Sequence, residues 1–109
     1  MSNLINLDGV EKRLRFLAET DVEFGTMRAE LDNMKEKIKT VEATVFLTVE
    51  GTVEKRKAIT RQHSSVQELL DEQFEMNTQY QVLSARRSTA VMYIEAWRSV
   101  NAARNKGSV

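Results

Sequence analysis

Phe24-Gly25-Thr26-Met27-Arg28-Ala29-Glu30-Leu31-Asp32-Asn33-Met34-Lys35-Glu36-Lys37-Ile38-Lys39-Thr40-Val41-Glu42-Ala43-Thr44-Val45 decides the architecture. Phe24, Leu31, Ile38 and Val45 return at every seventh residue, and Met27, Met34 and Val41 each follow one of them by three. That alternation is the heptad of a helix burying one stripe against another helix. Upstream, Val10 and Leu17 keep the step, but Arg13 and Thr20 are polar, so Leu14 is expected to take over and leave the seam irregular at this end. Asp8, with Glu11 three residues on, reads as an N-cap of the capping-box kind. Gly51 is a natural stop, which places the helix at about 8–49.

A second stripe runs through Leu69, Met76, Leu83, Ala90 and Trp97, with Val66, Tyr80 and Ile94 three residues before members of that set. Ser65-Val66-Gln67-Glu68 has the Ser-x-x-Glu form of a capping box, and Lys106-Gly107 marks the end. The second helix is therefore expected at about 65–105, followed by a short tail, 106–109. Each helix of about 40 residues would reach on the order of 60 Å. Matching lengths predict antiparallel pairing. Gln73 and Arg87 interrupt the second stripe, and two readings stand: seam-edge residues with the arginine head in water, or polar positions that set register or oligomer state.

Between the helices, the connector at about 50–64 is longer than the usual link of about 2 to 8 residues. Thr52 is suited to cap a short helix through Val53–Arg61. The competing reading is a β-hairpin, because Thr44–Val49 and Thr52-Val53 are rich in β-branched residues around Glu50-Gly51.

The whole chain of 109 residues, 41% hydrophobic and 29% charged, has the size and composition of a single folded helical domain, 1–109. Having no cysteine removes disulfides, thiolate metal sites and thiol nucleophiles, and fits a cytoplasmic, reducing setting. No apolar run approaches the roughly 18 to 20 residues of a membrane span. Met1-Ser2-Asn3-Leu4-Ile5-Asn6-Leu7-Asp8 lacks a signal pattern. Formal charge is zero, so attraction to nucleic acid must come from local patches. Such patches exist: 51–65 carries net plus three, 66–82 net minus four and 83–109 net plus four.

Chemistry is sparse. His63 beside Ser64 invites a hydrolase reading, but Ser-Ser before an apolar run is a helix-start signal, and a triad also needs an acid and an oxyanion hole. Glu68, Asp71, Glu72 and Glu75 have spacings that could hold a hard cation, yet such clusters are usually solvated faces. With no glycine-rich phosphate loop either, the chain reads as a non-enzyme without cofactor or metal. Binding remains. Lys55, Arg56, Lys57 and Arg61 in the connector, with Arg86 and Arg87, are the candidate nucleic-acid contacts. Phe46 and Tyr93 are candidates for base stacking.

Phe16, Phe46, Leu47, Leu70, Phe74, Val91 and Tyr93 fall outside the two seams, more apolar surface than one hairpin covers. This predicts an all-α fold: a long antiparallel helical hairpin, coiled-coil-like, assembling into an oligomeric helical bundle. The candidate interface residues are Phe24, Leu31, Ile38, Leu69, Met76, Leu83 and Trp97.

Tyr80-Gln81-Val82-Leu83-Ser84-Ala85-Arg86-Arg87, followed by Ile94-Glu95-Ala96-Trp97-Arg98-Ser99-Val100-Asn101-Ala102-Ala103-Arg104, resembles small all-helical proteins of tailed bacteriophages, most without an assigned function. A long helix, a basic connector and a second helix with a basic end are also similar in organisation to phage recombination mediators. That likeness implies a ring-like homo-oligomer in the host cytoplasm that helps load a recombinase on single-stranded DNA covered by a single-strand-binding protein. Lys55, Arg56, Lys57 and Arg61 would be the matching positions. The alternative is a coiled-coil interaction module, an adaptor, scaffold or inhibitor of a host protein, that binds no nucleic acid.

Overall fold

The computed structural model describes residues 4–107, and these form three α-helices: α1 (Leu7–Thr48), α2 (Val53–Gln62) and α3 (Ser64–Gly107). Met1, Ser2 and Asn3 from the amino-terminal reading, and Ser108 and Val109 of the expected tail, lie outside the described residues. Lys106 and Gly107 belong to α3.

Two caps differ from the expected ones. The Asn6 side chain, not Asp8, accepts the Gly9 N–H at 2.7 Å. Asp8 already lies in the first turn, where a carboxylate favours the positive end of the helix dipole, and Lys12 approaches it to 3.2 Å. At α3 the cap is His63 rather than Ser65. Its Nδ1 accepts the Ser65 N–H at 3.2 Å and lies 2.7 Å from the Ser65 hydroxyl, while its backbone N–H closes α2 on the Thr60 carbonyl at 3.1 Å. One residue thus ends one helix and starts the next.

The connector contains the short helix. Gly51 turns the chain at φ +123°, a region costly for any residue with a Cβ, and the Thr52 hydroxyl accepts the Lys55 N–H at 3.2 Å. No strand occurs among the described residues. The β-branched run up to Thr48 stays helical, with the Thr44 and Thr48 hydroxyls donating to the Thr40 and Val45 carbonyls at 2.9 and 2.7 Å. Inward donation of this kind lets threonine fit a helix.

The chain forms two compact units. Unit 1 is Met1–Phe24 with Gln81–Val109, and unit 2 is Gly25–Tyr80. In unit 1, α1 and α3 run antiparallel: Tyr93 meets Asn6 and Arg13, while Arg87 meets Leu17, Thr20 and Asp21. Val10, Ala90 and Ile94 are its buried apolar side chains. The Tyr93 hydroxyl accepts from the Asn6 N–H at 3.1 Å and donates to the Leu4 carbonyl at 3.2 Å. Gly9 makes room for this ring, since a Cβ there would lie 2.6 Å from Tyr93 Cζ.

Leu14 does not replace the polar seam residues; it is 51% exposed, while Arg13 and Thr20 stay half-buried. Their polar atoms are satisfied in place, Thr20 by donating to the Phe16 carbonyl at 2.8 Å and Arg13 by lying over the Tyr93 ring at 4.1 Å.

Unit 2 buries Leu31, Met34, Ile38 and Val45 of α1, Thr60 of α2 and Val66 of α3. Of the residues expected at an interface, Leu31 and Ile38 are buried within the single chain, and Phe24, Leu69, Met76, Leu83 and Trp97 are half-buried. Gln73 is half-buried in the α3 stripe. No helix among the described residues is long and apolar enough to cross a membrane.

Candidate binding surfaces

α2 carries the basic connector, and its turns sort those bases by direction. Arg56 and Thr60 lie one turn apart, which places them on one face of the helix; Thr60 is buried and donates to the Arg56 carbonyl at 2.8 Å. The Arg56 guanidinium lies 4.0 Å over the Phe46 ring and donates to the Phe46 carbonyl at 2.8 Å. α1 has no base in its own last turn, so Arg56 supplies the cation that the carbonyl end of that helix favours. Its Nε is buried without a hydrogen-bond partner, a desolvation cost set against the bond to the Phe46 carbonyl and the ring contact.

Lys55, Lys57 and Arg61 are exposed. Between α1 and α2 lies an open groove of about 680 Å³, lined by Ala43, Phe46 and Leu47 from α1 and by Lys57, Ala58 and Arg61 from α2, among others. Leu47 is 78% exposed there. Glu42 is the acid at its edge.

In unit 1, Arg87 is engaged more completely. It donates to the Leu17 carbonyl at 2.9 Å, the Thr20 hydroxyl at 2.6 Å and the Asp21 carboxylate at 2.6 Å, and its guanidinium lies 4.9 Å from the Phe24 ring centre. With its side chain 18% exposed, the head is not in water as the seam-edge reading held. The neighbouring Arg86 is exposed and lines a shallow groove with Lys12, Arg13, Phe16 and Thr89.

Of the six candidate cations, the fold therefore occupies Arg56 and Arg87 and leaves Lys55, Lys57, Arg61 and Arg86 open. Phe46 and Tyr93 each have one ring face covered by an arginine. His63 pairs through Nδ1 with Ser65 and not with Ser64. Among the described residues no three His, Cys, Asp or Glu side chains converge as metal ligands, and Glu68, Asp71, Glu72 and Glu75 make no ion pair.

No family model, curated protein or solved structure matches the chain.

The α1–α2 groove was absent from the sequence reading. Its signal was present in Ala43 and Leu47, one turn apart off the seam, followed by Lys57 and Arg61, also one turn apart.

Proposed function

We propose that the protein is a non-enzymatic helical interaction module that assembles with itself and meets protein partners through unit 2. The observation that carries this reading is the division of labour among its cations and rings. Arg56 on Phe46, Arg87 beside Phe24 and Asp21, and Arg13 on Tyr93 are committed within the chain, while the apolar groove flanked by Lys57 and Arg61 stays open. A surface for single strands needs the reverse, free ring faces beside free cations. An open apolar floor with a charged rim suits a protein helix.

A second reading is favoured by the exposed Lys55, Lys57 and Arg61 on α2, with Arg86. Repeated in an oligomer, these would neutralise phosphates, in keeping with the resemblance to phage recombination mediators, a recombinase or single-strand-binding protein being the partner. Fluorescence anisotropy with a labelled oligonucleotide across a salt series separates the two. The interaction module gives no binding at low micromolar protein. Tight, salt-sensitive binding that disappears in a Lys55→Ala, Lys57→Ala, Arg61→Ala triple variant would replace it with the DNA role.

A further inference from the structure

Unit 2 carries both halves of a helix-docking joint. On α2, Lys57 and Arg61 are one turn apart, beside an apolar row in which Ala43 and Leu47 of α1 are also one turn apart. On α3, Asp71 and Glu75 are one turn apart, beside Leu70 and Phe74, which share that spacing. Residues one turn apart form parallel rows on a helix surface, so the two surfaces match row for row, base against acid and apolar against apolar.

Each half keeps a large apolar side chain exposed, although Leu70 is half-buried within the chain. Phe74 is 74% and Leu47 78% exposed. Lys57, Arg61, Asp71 and Glu75 are exposed, and none makes an ion pair among the described residues. The stretch 66–82 has four acids and no base, whereas α2 has four bases and one acid. A groove of about 680 Å³ is larger than one phenyl ring needs and suits a helical turn bearing two apolar side chains.

Resting on the interaction-module reading, we propose that the occupant of the α1–α2 groove is α3 of a second copy of this chain, with Leu70 and Phe74 on the floor and Asp71 and Glu75 against Lys57 and Arg61. Each copy carries groove and occupant, and the proposed dimer exchanges them reciprocally through two identical joints, an isologous arrangement that closes at two copies.

The test is sedimentation equilibrium of the full chain from low to high micromolar. Wild type is expected to be a dimer. The Lys57→Glu, Arg61→Glu chain and the Asp71→Lys, Glu75→Lys chain should each associate about tenfold or more weakly, since like charges then face each other in both joints. Mixing these two chains restores opposite charges in both joints and should restore a dimer. Phe74→Asp should weaken association as well, and helicity by circular dichroism shows that the variant still folds, the side chain being exposed. A wild-type monomer throughout, growth beyond two copies, or a dimer untouched by either charge reversal would overturn the proposal. A wild-type monomer would also remove self-assembly from the proposed function, a dimer indifferent to the charge reversals would sink this joint alone, and the oligonucleotide titration decides the DNA reading separately.

Discussion

The same two helices are joined in two different ways. Unit 2 is held by hydrocarbon: Leu31, Met34, Ile38, Val45 and Val66 are buried at heptad spacing. Among the described residues unit 1 buries Val10, Ala90 and Ile94 as its apolar side chains, and it fills its seam with Arg13, Thr20 and Arg87, each hydrogen-bonded or stacked across the helices. Hydrocarbon burial is strong and indifferent to direction, so it tolerates a slip along the seam. An arginine that must find a carbonyl, a hydroxyl and a carboxylate at once has one position that satisfies it. The contrast separates adhesion from alignment.

Ile38→Ala should have the largest effect, a loss of about 2–5 kcal/mol for a fully buried aliphatic side chain. Urea unfolding followed by circular dichroism measures it, and a cost below that of seam changes in unit 1 would erase the contrast. Arg87→Ala should cost about 1–3 kcal/mol through its lost charge-assisted hydrogen bonds, with amide exchange rising in unit 1 while the amides around Leu31 and Ile38 keep their protection. Equal loss of protection in both units would mean that the arginine acts on general cohesion. Smallest is Gly25→Ala in α1, where nothing lies within 4 Å of an added Cβ; it should raise stability by about 0.5–1 kcal/mol through helix propensity. Gly9 in unit 1, crowded by Tyr93, should respond in the opposite direction.

The helices, the turn at Gly51 and the Thr52 cap were legible because each rests on a local rule: heptad spacing, a left-handed glycine, a side-chain oxygen before a helix. The caps at Asn6 and His63 each lie two residues before the expected ones, since asparagine, aspartate, histidine and serine all offer an acceptor there and only the chain path decides which is used. The roles of Arg56 and Arg87 were hidden for another reason. A cation in the sequence looks the same whether it awaits a phosphate or closes a helix end, and the partners that decide, Phe46 ten residues away and Asp21 sixty-six away, are tertiary.

The joint at His63 has a further consequence. Val49 to Thr52 lie outside any helix and can absorb an inserted or deleted residue, but α2 and α3 are separated by His63 alone. Because a helix advances about 100° per residue, a change of one residue there would rotate the start of the α3 stripe, a deletion bringing Gln67 and an insertion bringing Ser65 and Glu68 to the inward places of Val66 and Leu69. Chain length at that point is therefore a phase setting, as binding on the fold as any side chain in its interior.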